Sequence, residues 1–222
     1  MKDNDNKNRF KLTCDQKKLA QSIWQNDITL AFGSAGTGKT ATTLQTFLDL
    51  MSHNHINKIV CVRLISDTFD EHLGALPGDK DEKLTPFLGP LMDNLTQLLK
   101  PGPLEYLLNK NQIEVIPVSH VRGRTFFQCG VIVDECQNMS DEMILTIATR
   151  IGEGSRMVFC GDPMQRDFRG RNGIAYACRL FNNIEGVGVV HLPDQNICRH
   201  PLIKDILKQA KALAANEVET SK

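Results

Sequence analysis

Gly33-Ser34-Ala35-Gly36-Thr37-Gly38-Lys39-Thr40 decides the reading of this 222-residue chain. The eight residues fit G-x-x-x-x-G-K-[ST], a loop built to hold phosphate. The apolar run Ile28-Thr29-Leu30-Ala31-Phe32 before it reads as a buried strand. Residues 39–50 after it, with Leu44, Phe47 and Leu48 on one face, read as a helix. Strand, loop and helix in that order is the context the motif requires. Glycines have no Cβ, so the backbone wraps closely around a phosphate and successive N–H groups converge on its oxygens. The helix that follows offers unsatisfied N–H groups and the positive end of its dipole to the same anion. Lys39 then suits the β- and γ-phosphates of ATP, and the Thr40 hydroxyl suits a Mg2+ ion.

A phosphate loop needs an acidic partner. Gly130 to Val133 reads as a strand ending in Asp134-Glu135, a Walker B pattern at a strand's carboxyl edge. Asp134 would hold Mg2+ through water, opposite Thr40. Glu135 would act as general base toward the attacking water. Alone, the pair would read as acidic residues ahead of a helix cap at Ser140; the upstream loop favours the catalytic reading. Residues 156–160 form a further strand running into Gly161-Asp162-Pro163-Met164-Gln165-Arg166-Asp167. Gln165 suits contact with the γ-phosphate or positioning of water, whereas Asp162-Pro163 by itself is a turn.

Upstream, Thr13-Cys14-Asp15-Gln16 fits a capping box that opens a helix through about Trp24. Gln16 has two readings there. It is the N3 partner of Thr13, or it reads adenine by hydrogen-bonding both edges of the ring, as Asn or Gln does in DNA grooves. Leu-Thr-x-x-Gln resembles the adenine-reading Q motif of helicases.

Composition narrows the partners. Basic and acidic residues balance at 26 each, so no global field advertises nucleic acid or membrane, and any polyanion site must be a local cluster. Arg122-Gly123-Arg124-Thr125 is one candidate: a solvated turn, or a glycine-permitted contact to a sugar-phosphate chain. Arg63, at the end of a strand over 58–64, joins Arg122 and Arg124 as a candidate phosphate contact. Arg166, Arg169 and Arg171 read as solvated surface or as a second polyanion-facing group. The seven cysteines include no C-x-x-C pair and several sit in apolar strand runs, which suits reduced thiols rather than zinc. A polar start and the lack of any apolar run near the roughly 20 residues of a membrane span lead us to expect a cytoplasmic protein without a secretory signal.

Helices are expected over 84–100, 104–108, 140–151, 172–181 and 202–215, and further strands over 113–118 and 186–192. Residues 1–12 read as a flexible arm, 13–215 as one α/β domain and 216–222 as a flexible tail. There is no internal repeat.

Taken together the segments resemble the PhoH-like family, the phosphate-starvation-inducible ATPases related to superfamily 1 helicase cores. The resemblance runs from about Thr13 to Ala212. It rests on residues 33–40, Leu-Pro-Gly-Asp at 76–79, Arg-Gly-Arg-Thr at 122–125, Asp-Glu-Cys-Gln-Asn at 134–138, residues 161–167 and Arg-His-Pro at 199–201. Cys136 stands where the family usually has Ala, and Leu64 where Pro usually follows Arg63. The resemblance implies a single RecA-like P-loop domain, a parallel sheet with helices on both faces and ATP at the carboxyl edge of the strands. It also implies ATP hydrolysis with Mg2+, coupled to RNA or single-stranded DNA, and Arg199 as the cationic finger. Superfamily 1 helicases sandwich ATP between two such domains. With one domain here, the second wall would come from another copy in a homo-oligomer, a hexameric ring being the commonest outcome among relatives. The RNA-binding or nuclease modules of some relatives are not expected.

Two other classes fit the phosphate loop alone. A phosphotransferase would pass the γ-phosphate to a small acceptor, against which Asp134-Glu135 and Gln165 favour water. A non-catalytic, ATP-gated binding module is the other, against which Lys39, Thr40, Asp134 and Glu135 all stand intact.

Overall fold

The structure, a computed structural model, describes residues 9–64, 80–165 and 172–196, with isolated positions between 202 and 209. Arg199, residues 76–79, Arg166, Arg169, Arg171 and most of the expected C-terminal helix lie outside the described residues.

Six strands form one parallel sheet: β1 (Ile28–Gly33), β2 (Lys58–Arg63), β3 (Ile113–Pro117), β4 (Cys129–Val133), β5 (Arg156–Gly161) and β6 (Val187–Leu192). Their order across the sheet is β3-β2-β4-β5-β1-β6, and every described pairing is parallel. Parallel strands need long crossovers, so helices alternate with the strands along the chain. They are α1 (Cys14–Gln25), ahead of β1, then α2 (Lys39–Ser52), α3 (Lys80–Leu98), α4 (Pro101–Asn109), α5 (Asp141–Ala148) and α6 (Gly173–Leu180). With the phosphate loop between β1 and α2, this is a RecA-like P-loop α/β fold.

Alternation along the central strands explains why both faces are covered. Leu30, Val60, Val62, Val131, Val133, Met157 and Phe159 enter one core with α5 and α6. Their neighbours Ala31, Ile59, Cys61, Ile132, Val158 and Cys160 enter a second core with α1, α2, α3 and α4. A strand buried on both faces reads as a continuous apolar run, as β2, β4 and β5 do.

Within the described residues the expected elements occur, with shifted ends. The helix expected over 140–151 stops at Ala148, because Ile151 leaves it to bridge Phe126 in parallel. The helix expected from 84 begins at Lys80. Residues 9–12, read from the sequence as part of an arm, lie along α2. Phe10 donates its N–H to Gln45 Oε1 at 2.8 Å and accepts from Gln45 Nε2 at 3.3 Å, and Arg9 pairs with Asp49. Among the described residues no helix is long and apolar enough to cross a membrane.

Because all six strands run the same way, the carboxyl ends of β1, β5, β4 and β2 share one edge. The phosphate loop, Asp162, Asp134 and Arg63 therefore meet there.

Candidate nucleotide site

The loop after β1 is held by its surroundings before any ligand is considered. Gly33 has φ +154°, and a Cβ there would stand 2.1 Å from the Leu192 carbonyl oxygen of β6. Gly38 has φ +84°, and its Cβ would stand 2.5 Å from Gln16 Nε2. Both positions need glycine, for the positive φ and for the approach of a neighbour. Two carboxylates tie the loop down: the Ala35 N–H donates to Asp162 Oδ2 at 2.8 Å, and the Ser34 hydroxyl donates to Asp194 Oδ1 at 2.5 Å. Lys39 Nζ donates to the Gly33 and Ser34 carbonyls at 2.7 and 3.0 Å, which curls the side chain over the loop.

Gln16 is the N3 member of a complete capping box with Thr13. Its Nε2 also donates to the Thr37 carbonyl at 3.0 Å, so the amide fastens α1 to the phosphate loop. It is buried, and it lines the same cavity as Lys39 and Thr40.

Across the cavity, the Thr40 hydroxyl donates to Asp134 Oδ1 at 3.0 Å. A hydroxyl and a carboxylate facing one another are the hard oxygen donors Mg2+ takes, and such a site fills its remaining positions with water and substrate phosphates. No cluster of three or more His, Cys, Asp or Glu that suits a metal occurs among the described residues. The residues present therefore fit Mg2+ bound with a nucleotide better than a cation caged by protein alone. The other oxygen of Asp134 faces Arg63, whose Nε lies 3.7 Å from Oδ2.

Glu135 is left-handed (φ 52°, ψ 38°) and exposed, and it opens a short 3-10 turn over Cys136–Asn138. Its carboxylate is held by Gln137, whose Nε2 donates to Oε2 at 2.6 Å. The same buried amide accepts the Asp162 N–H at 3.0 Å. Gly161 makes room, since a Cβ there would meet Gln137 Oε1 at 2.9 Å. A chain of contacts thus runs from Ala35 through Asp162 and Gln137 to Glu135. Gln165 lines the cavity and donates its N–H to the Asp162 carbonyl at 3.2 Å.

The cavity holds about 720 Å3. Besides these residues it is walled by Phe10 and Lys11 and by a face of α3 carrying Pro90, Asp93, Asn94 and Gln97. Sequence reasoning missed that wall, as it missed Gln137 and Asp194. In the sequence Asp93, Asn94 and Gln97 show only as the polar side of an amphipathic helix.

The three arginines read as phosphate contacts are not together. Arg63 lines the cavity beside Asp134. Arg124 makes a forked pair with Glu114 Oε1 at 3.0 and 3.1 Å, and Lys58 completes the cluster at 2.8 Å. Burial pushes the Glu114 carboxyl up, but hydrogen bonds from Lys58 and Arg124 outweigh it and hold the group below its usual range. This cluster sits toward the beginnings of β2 and β3, the edge away from the phosphate loop. Arg122 is exposed. Beneath the site, burial raises the thiols of Cys61, Cys136 and Cys160, the last pushed up to about 12. They are protonated at neutral pH and act as core.

The family comparison agrees with this geometry. The profile of a protein family described as "PhoH-like protein" matches residues 10–211. A PhoH-like protein of Bacillus subtilis is 35% identical over 198 residues, covering 88% of this chain and 62% of that protein. One from Synechocystis is 34% identical over 198 residues, covering 88% of this chain and 60% of that one. The chain thus spans about three fifths of the length of these relatives. Among solved structures, the Pif1 helicase of Candida albicans superposes with a TM-score of 0.45 at 14% identity, over 83% of this chain and 40% of that one.

Proposed function

The chain belongs to the PhoH-like protein family, and on that premise we propose that it is a Mg2+-dependent ATPase whose turnover is coupled to RNA or single-stranded DNA. The observation that carries the proposal is the Thr40–Asp134 pair at 3.0 Å, with Lys39 curled over the loop on one side and Glu135 on the other. The loop N–H groups and Lys39 bind the phosphates. Thr40 and Asp134 are the residues that would hold Mg2+, which neutralises charge on the β- and γ-phosphate oxygens when bound. The choice of adenine draws on the Q-motif resemblance, since the Gln16 amide is already bonded to the Thr13 N–H and the Thr37 carbonyl.

In hydrolysis, a water oxygen bonds to the γ-phosphorus while the bond to the β-phosphate oxygen breaks, its electron pair leaving on ADP. Glu135 takes the water proton. Gln137 keeps the Glu135 carboxylate in place, and Gln165 stands at the same wall. The proposal extends to a homo-oligomer in which Arg199 of a second copy completes the site, as the family resemblance implies. Nucleic-acid coupling draws on the family resemblance and on exposed Arg122.

The test is phosphate release from ATP at low salt, with and without single-stranded RNA or DNA. Release that requires Mg2+ and rises with the single strand is expected. No release under any of these conditions would refute the proposal.

A further inference from the structure

We infer that Arg63 is a catalytic cation supplied by this chain to its own nucleotide site, resting on Asp134 before nucleotide arrives and on the terminal phosphate afterwards. The inference rests on the reading of the cavity as a Mg2+–ATP site.

Arg63 is the last residue of β2, next to β4 in the sheet, so its side chain leaves the same edge as Asp134. That side chain is 20% exposed, lines the nucleotide cavity and places Nε 3.7 Å from Asp134 Oδ2. The carboxylate is thereby divided, with one oxygen toward Thr40 and the other toward the guanidinium. Arginine keeps its charge at any working pH. Arg63 therefore loses its hold on Asp134 once Thr40 and Asp134 take up a divalent cation, because two positive groups then share one carboxylate. The triphosphate that arrives with the cation brings new negative charge into the same cavity. A guanidinium's planar fork matches two phosphate oxygens. Lys39 reaches the phosphates from the β1 side, where its ammonium meets the Gly33 and Ser34 carbonyls. Arg63 approaches from the β2 side, past Asp134, and bears on charge that develops as the bond to the leaving β-phosphate breaks.

The competing assignment, a nucleic-acid contact shared with Arg124, would need one strand to reach both ends of β2. Arg124 meets Glu114 beside Lys58, which begins β2. Arg63 ends that strand, roughly 17 Å from Lys58 by strand rise.

The experiment uses the full chain, with equilibrium binding of a non-hydrolysable ATP analogue titrated with Mg2+ and phosphate release measured alongside. Arg63→Ala should lower the Mg2+ concentration for half-saturation by about tenfold, the scale on which a neighbouring charge alters a carboxylate's affinity for a proton. Its turnover should fall about 10²-fold, as when one donor to developing charge is lost, while ADP affinity holds. Arg63→Lys keeps the charge without the fork, so it should keep the parental Mg2+ midpoint and still turn over slowly. Should Arg63→Ala fail to fold, Arg63→Lys decides alone: parental turnover overturns the inference. For a folded Arg63→Ala, a parental Mg2+ midpoint with parental turnover overturns it, as does an effect confined to the salt dependence of nucleic-acid binding. If the parent chain binds no triphosphate at all, the reading of the site falls and Arg63's role with it; a parent that binds and hydrolyses ATP leaves only the Arg63 assignment at stake.

Discussion

Replacing Gln137 by Met separates the orientation of Glu135 from its presence. Met fills a similar volume and removes both hydrogen bonds, the 2.6 Å donation to Glu135 and the 3.0 Å acceptance from the Asp162 N–H. Glu135 is exposed and water can replace the lost donor, so little folding energy is lost on that side. The Asp162 N–H is buried, and leaving it unpaired costs about 1–3 kcal/mol. For a domain of this size each kcal/mol lowers the melting temperature by about 2–4 °C, so a drop of roughly 2–12 °C follows. The catalytic effect is separate. A carboxylate displaced by about 1 Å from its productive position loses on the order of 10²-fold in rate. Nucleotide binding should survive, because Lys39, Thr40 and the tie from Ser34 to Asp194 do not pass through Gln137. Thermal melting, fluorescent-nucleotide binding and phosphate release measure the three effects on one sample. A Gln137→Met protein that melts lower yet releases phosphate like the parent would refute the claim that Gln137 positions the base.

Gly33→Ala should lower stability by at least about 1–3 kcal/mol and weaken nucleotide binding, since its Cβ would stand 2.1 Å from the Leu192 carbonyl oxygen; a melt within error of the parent would contradict that contact. Glu114, held below its usual range, stabilises the fold above its unfolded value of about 4.3, and the gain is lost as pH falls through the folded value. The melting difference between Glu114→Gln and the parent should therefore be full at neutral pH and shrink below about pH 4. Arg199→Ala and Lys39→Ala should each be nearly inactive alone, and mixed subunits that exchange should regain activity at interfaces where both residues are intact, because a finger supplied in trans is worth roughly 10³–10⁵ in rate. No recovery, with exchange shown independently, would return Arg199 to its own chain.

What the sequence disclosed was local. The phosphate loop, the strand before it and Asp134-Glu135 are contiguous patterns, and each lies where its pattern required. Double-sided strand burial was legible as continuous apolar runs such as Lys58–Arg63, although strand order was not, because crossovers leave no mark in the chain. The capping-box reading of Gln16 holds, and the same amide also fastens the Thr37 carbonyl, a contact across 21 positions that no local pattern announces. Contacts between distant residues were invisible in general. Gln137 stood inside a recognised segment, but its link to Asp162 spans 25 positions, and the tie from Ser34 to Asp194 spans 160. Arg124 looked like a free cation in a turn until Glu114, on β3, came beside it.

On the proposed function, residues 33–40 with Asp134 and Glu135 bind and hydrolyse ATP, with Glu135 acting on water alone. The most direct measurement compares Lys39→Ala, Glu135→Gln and the parent for ATP binding and phosphate release under one set of conditions. Lys39→Ala should lose tight binding. Glu135→Gln should bind ATP as the parent does and hydrolyse it roughly 10²–10⁴-fold more slowly. A Glu135→Gln protein that hydrolyses ATP at the parental rate would contradict the account.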